Sequence, residues 1–288
     1  MDKVLSEKRK GIICILGAAL SFAFMNLFIK LAGDLPTYEK AFFRNAFALI
    51  MASLVLLKDK ISFTAGKGNY HDLIMRALFG TIGVFFNFYA IDHLNIADAS
   101  MLNKLSPFFS IVFSYWVLKE KAKPYQWICV IVAILGAMFI LKPGVGSITT
   151  FPALIGFISG ISAGFAYTFM RRATLKGVPK PYIVFFFSGF STLCFMPFSI
   201  TGYKPMSFVQ FIFLLLTSIS ATCGQFSITA AYSHAKAADI SVYDYTQIIF
   251  ASLLGLFFLN EIPDISSIVG CIIIIGAGIF MFIKGKKE

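Results

Sequence analysis

The stretch His93-Leu94-Asn95-Ile96-Ala97-Asp98-Ala99-Ser100, followed by an apolar run that ends in Leu118-Lys119-Glu120, has a second copy in the same chain. It recurs as His234-Ala235-Lys236-Ala237-Ala238-Asp239-Ile240-Ser241, whose apolar run ends in Leu259-Asn260-Glu261. The offset is 141 residues, and at that offset matches extend along the chain: Ser21 with Ser162, Phe24 with Phe165, Phe28 with Phe169, Lys30 with Arg171, Gly83 with Gly224 and Phe85 with Phe226. The chain therefore reads as two copies of one unit, divided as residues 1–143 and 144–288.

The medium around those copies follows from composition. Of 288 residues 58% are apolar, 14% are charged and 34 are Phe, with a mean hydropathy of +0.81. Soluble domains carry about 25% charged residues, so lipid is the expected solvent. Apolar runs long enough to cross a bilayer, about 20 residues each, fall at about 11–31, 38–57, 72–91, 97–118, 125–141, 152–170, 182–201, 207–231, 239–259 and 265–283. The first follows Lys3, Lys8, Arg9 and Lys10 as a secretory signal would. It is too long for a signal core and lacks an A-x-A cleavage site, so it is read as a membrane helix.

Charge then sets the orientation. With the N-terminus inside, 19 of the 25 Lys and Arg residues fall in cytoplasmic segments, as retention of basic loops requires. Both termini are expected in the cytoplasm, and the net charge of +11 needs no nucleic-acid partner. Five spans per copy is an odd number, so the second copy must lie inverted relative to the first. Inverted repeats that rock about a midplane site are the architecture of secondary transporters. Channels can share it, so transport is the first inference and mechanism the second.

The paired Ala-Asp-x-Ser motifs, Pro107 in the helix behind the first, and the closing Glu120 and Glu261 resemble the EamA-type, ten-helix branch of the drug/metabolite transporter superfamily, over essentially the whole chain. The resemblance implies an all-α integral membrane fold of two inverted five-helix repeats. Helices one to four and six to nine would surround a central cavity, with the fifth and tenth outside it. It also implies a cargo among amino acids, nucleobases, sugars, vitamins or drugs, without choosing one. Two departures stand out: Lys104 precedes Pro107 by three residues, and Ile248 stands where the second copy would carry its proline, which argues against symmetric hinging.

Candidate site residues are polar groups at membrane depth, where a charge costs roughly 2.5–3.5 kcal/mol on insertion scales and normally faces a cavity or a partner. Ser100, Asn103, Lys104, Pro107 and Ser114 share one stripe of the fourth helix; Ser241, Asp244, Tyr245 and Ser252 form its counterpart on the ninth. Lys104 and Asp244 then lie about one turn from quasi-equivalent points, either as a structural ion pair or as a substrate or proton site. Arg44 either snorkels to the headgroups or rims the cavity, whereas Arg76 is read as snorkelling. Asn26, Asn87, Gln225 and Gln247 either line the cavity or bond between helices. The substrate-binding set is thus Asn26, Arg44, Asn87, Asn103, Lys104, Gln225, Asp244 and Tyr245, while Glu120 and Glu261, weighed between a structural and a gating role, are read as structural.

Catalysis has no constellation. Gly160-Ile161-Ser162-Ala163-Gly164 fits the G-x-S-x-G nucleophile elbow, but that motif needs a strand-to-helix turn and this copy lies mid-span. Gly156, Gly160 and Gly164 instead form a small-xxx-small packing ladder. His71, His93 and His234 lie at span ends, and the five cysteines, without metal spacing, are read as apolar core residues. Without a GxxxxGK[ST] motif, no nucleotide site is expected. The expectation is a multi-pass inner-membrane secondary transporter, an exporter or exchanger of a small polar or amphipathic metabolite, with no cofactor or metal. A proton or other ion is left open as the coupled species. A monomer would suffice and a dimer is left open. The alternative is a flippase for a lipid-like or lipid-linked solute.

Overall fold

In lipid, backbone polar groups must be satisfied within the segment itself, and apolar runs of this length achieve that as helices. The computed structural model describes residues 2–66, 68–142, 150–234 and 241–287, and among them the regular elements are all helical. They are α1 (Asp2–Leu31), α2 (Thr37–Lys58), α3 (Tyr70–His93), α4 (Ile96–Asn103), α5 (Ser106–Val117), α6 (Pro124–Leu141), α7 (Thr150–Leu175), α8 (Lys180–Thr201), α9 (Phe208–His234), α10 (Thr246–Leu259) and α11 (Ile265–Lys287), with a 3-10 turn over Ser241–Tyr245 before α10. The expected boundary at 143–144, Lys67, and residues Lys236, Ala238, Asp239 and Ile240 lie outside the described residues.

Nine of the described segments are long and apolar enough to cross a membrane. The fourth crossing is divided between α4 and α5. At 1.5 Å per residue their 8 and 12 residues reach only about 12 and 18 Å, so the crossing needs both. The expected single helix over 97–118 therefore breaks. Pro107 has no N–H to offer Asn103, and the backbone tightens there: Leu105 N–H donates to the Leu102 carbonyl at 3.3 Å and Phe108 N–H to that of Leu105 at 3.0 Å. At the 141-residue offset the second copy breaks as well, where its 3-10 turn gives way to α10 at Thr246. Ile248 therefore does not make the two halves differ in the way its lack of a proline suggests.

Packing shows the inverted repeat directly. α1 lies along α9, and α3 lies along α7; α1 also meets α10, as α7 meets α5. α2 packs on α8, α4 on α10, and α6 on α11. Exchange the two copies, taking α4 with α5 and the 3-10 turn with α10 as single crossings, and this set of contacts maps onto itself, as a pseudo-two-fold axis demands. The detail repeats too: Gly83 of α3 lies against Ala163 of α7, and its repeat mate Gly224 of α9 lies against Phe22 of α1, the mate of Ala163.

Small residues permit these approaches. A Cβ on Gly160 would lie 2.4 Å from the Leu102 carbonyl oxygen, and one on Gly164 would lie 2.8 Å from that of Ser106. The glycine ladder of α7 is thus seated on the broken crossing, which leaves Ser162 buried inside an unbroken helix. Gly136 and Gly270 join α6 to α11 in the same manner: a Cβ on Gly270 would lie 2.7 Å from the Gly136 carbonyl oxygen. At one end of that pair Lys142 forms an ion pair with Asp264. The Lys142 bond and the Ser267 N–H hold the Asp264 carboxyl below the usual range.

Outward faces are apolar, as lipid requires. Phe208, Phe257 and Ile265 are exposed, as are Ile128, Ile131 and Leu135 along α6. Cysteine departs from its expected place. Cys129 is buried, but Cys194 and Cys223 are exposed on helices whose outer faces suit a small apolar thiol equally well.

Candidate functional site

The helices have two ends. One carries the loops 59–69, 118–123 and 176–179 and is rich in Lys; it is called the basic end here, and the other the far end. A cavity of about 160 Å³ lies among α2, α3, α8 and α9. Its wall runs from Lys180 at the start of α8, at the basic end, inward to Arg44 on α2 and Gln225 on α9. Arg76, Phe187 and Ser188 complete its polar and aromatic lining.

Two guanidinium groups converge in this cavity. Arg44 and Arg76 are each only 8% exposed. Their guanidinium carbons lie 5.7 and 4.3 Å from the Phe187 ring centroid, which puts them within about 10 Å of one another. Arg44 Nη1 donates to Asn45 Oδ1 at 2.6 Å, while Nε of both residues has no acceptor. Among the described residues neither has a carboxylate within ion-pairing distance. With an effective dielectric of about 20, two like charges at this range repel by at least about 1.7 kcal/mol. Stacking on the ring returns about 0.5–2 kcal/mol per cation. Arg76, expected to snorkel, turns inward because Gly80 leaves it room: a Cβ there would lie 2.1 Å from Arg76 Nη1.

The other expected site residues lie elsewhere. Lys104, at the break in the fourth crossing, bonds to Asp244 Oδ2 of the 3-10 turn at 2.5 Å, with side chains 12% and 16% exposed. The repeat thus brings together the two charges its register suggested. Asn103 Nδ2 donates to Ser159 Oγ at 3.4 Å, and Asn26 Nδ2 to Ser100 Oγ at 2.9 Å. Asn87 is buried on α3. Tyr245 packs its ring over Gly278 of α11, away from the cavity. Of the eight expected residues, Arg44 and Gln225 line the cavity; Arg76, Phe187 and Ser188 were not in the expected set. Phe187 carried no sequence signal, since it is one of 34 phenylalanines.

A third group lies at the far end. Lys30 of α1 pairs with Glu261 beyond α10 and donates to the Leu94 carbonyl, and the Ile96 N–H donates to Glu261 Oε2 at 2.8 Å. The repeat mates of this pair form its mirror image at the basic end, where Arg171 Nη2 meets Glu120 Oε1 at 2.8 Å. Exposure differs sharply: 20% and 13% at the far end against 58% and 41% at the basic end. Further bonds at the far end run from Tyr38 Oη to the Gly202 carbonyl at 2.7 Å and from the Lys204 N–H to Glu39 Oε1 at 2.7 Å. At the basic end, buried Asp72 meets Lys176 at 2.6 Å and Arg172 at 3.5 Å. Among the described residues no group of three or more His, Cys, Asp or Glu side chains is placed to hold a metal ion.

Comparison with known proteins agrees with this architecture. Residues 9–142 and 150–283 each match the model of the EamA-like transporter family. The chain is 30% identical to the pseudopaline exporter CntI of Pseudomonas aeruginosa, over 95% of this chain and 96% of that one. It is 23% identical to Solute carrier family 35 member G1 of Homo sapiens, over 93% and 78%. It is 22% identical to the S-adenosylmethionine uptake transporter of Rickettsia prowazekii, over 100% and 97%. A solved crystal structure with 15% identity superposes with a TM-score of 0.62, covering 94% of this chain and 95% of that one, and so shares the fold. Two matched repeats and a 30% identical relative over nearly the full length place the chain in the EamA-like transporter family.

Proposed function

We propose that the protein is a secondary-active inner-membrane transporter of a small polar or amphipathic metabolite, exporting or exchanging it by alternating access, with both termini and the basic end in the cytoplasm. One observation carries the reading: the two symmetry-related ion pairs, Lys30–Glu261 and Arg171–Glu120, stand in unlike environments. A pseudo-symmetric molecule whose two ends differ in this way occupies one of two mirrored states. Here the far end is sealed and the cavity is reached from the basic end; exchanging the roles of the two pairs would give the opposite access. Discontinuous crossings beside a midplane site are the other feature that transporters of this kind share. The relatives include an exporter and an uptake transporter by name, so direction is assigned here from neither. Exchange of labelled solute across proteoliposomes holding only the purified protein tests the proposal. Flux should need a solute or ion gradient alone, and strict dependence on added ATP would overturn it.

A further inference from the structure

We propose that the cavity among α2, α3, α8 and α9 is an anion site, and that the solute carried is an organic anion whose acidic groups, carboxylate or phosphate, are met by Arg44 and Arg76 on either side of a carbon skeleton resting on Phe187. The inference rests on the transport reading and adds the chemical class of the cargo.

The contrast with the rest of the molecule carries it. Lys30, Lys40 and Lys104 are also largely buried, and each meets a carboxylate: Glu261, Asp92 and Asp244. Buried cations are normally paired in this way, because an unpaired buried charge is strongly destabilising. Arg44 and Arg76 are as deeply buried, yet both leave Nε without an acceptor. Among the described residues no Asp or Glu lines the cavity, and Lys180 adds a third positive charge where it meets the basic end. Ser188 Oγ, fully buried in the same wall, also lacks a partner and supplies a neutral donor. Guanidinium groups present a planar fork that matches carboxylate and phosphate oxygens. Glycine at position 80 keeps the place that Arg76 occupies free of a side chain.

Thermal unfolding of the full-length protein in detergent tests this with succinate, glycerol 3-phosphate, lysine and glucose as probes, each at matched ionic strength against chloride. At least one of the two anions should raise the Tm by about 3 °C or more. Comparing succinate with glycerol 3-phosphate separates carboxylate from phosphate recognition. Lysine and glucose should leave the Tm unchanged. The rise should vanish in Arg44→Gln and in Arg76→Gln, and Arg44→Lys should keep part of it. If neither anion shifts the wild-type Tm beyond chloride, or if the shift survives both glutamine substitutions, the inference fails. The wild-type series decides even if a variant does not fold. Binding without flux in proteoliposomes would retire the transport reading and leave the anion site standing. Gradient-driven flux of glucose or lysine that both glutamine variants retain would retire the anion inference and leave transport standing.

Discussion

Replacing Glu261 with Gln should unlatch the far end, whereas the same change at its repeat mate Glu120 should have little effect. The side-chain oxygen of Gln can still accept from the Ile96 N–H, so what Glu261→Gln removes is the charge facing Lys30. Hydrogen bonds to charged groups are worth about 1.5–3 kcal/mol where water is largely excluded, and this pair is mostly buried. A loss of about 2 kcal/mol from the sealed state shifts the equilibrium toward far-end opening by roughly 30-fold, at 1.4 kcal/mol per factor of ten. Arg171 and Glu120 are about half exposed, and exposed pairs are worth about 0–1 kcal/mol. Glu120→Gln should therefore shift the balance by no more than about fivefold. The assay is labelling of a single cysteine, Asn95→Cys, by a membrane-impermeant maleimide in a background with the five native cysteines replaced. Faster labelling in Glu261→Gln than in Glu120→Gln is expected. Equal rates in the two variants, or an unchanged rate in a folded Glu261→Gln protein, would refute the assignment of unlike roles to the mirrored pairs.

Three further outcomes follow from particular contacts. If Lys104 and Asp244 serve only the fold, Lys104→Met and Asp244→Leu should each lower yield and Tm, since breaking a desolvated pair costs about 3–5 kcal/mol, and the double change should restore both yield and flux; a stable double variant without flux would instead assign the pair to transport. Gly270→Val should separate α11 from α6 at the Gly136 carbonyl and cost about 1–3 kcal/mol, read as a lower Tm, while an unchanged Tm would show that this seam does not bear on stability. Reporter fusions at Glu288 and within the 58–67 loop should both be cytoplasmic, and an external signal from either would break the topology.

How much of this was legible beforehand varied with the physics involved. Span positions and the inverted repeat follow from hydropathy and self-similarity, because lipid forces long apolar helices whatever the neighbours are. The Lys104–Asp244 pair was half legible, since the offset placed Asn103, not Lys104, opposite Asp244. The break in the fourth crossing had a signal in Pro107. The second break had none, because Ile248 can continue a helix where a proline cannot. Arg76 was misread because depth along a helix does not tell which way a long side chain turns. Its inward course depends on the notch at Gly80 and the ring of Phe187, which are 107 positions apart in the chain and meet only through packing. Glu120 and Glu261 were recognised as repeat mates, but the difference in their burial depends on packing that no sequence pattern carries.

Access to the cavity from each side of the membrane tests alternating access most directly. A cysteine at Val184, in the cavity wall, would be labelled in vesicles of known orientation by an impermeant reagent added to one side at a time. The account predicts labelling from the basic end with the far end protected, and a transfer of labelling to the far end in Glu261→Gln with matching loss from the basic end. Labelling from both sides at once, at rates that do not trade against each other, would show a continuous pore and contradict it.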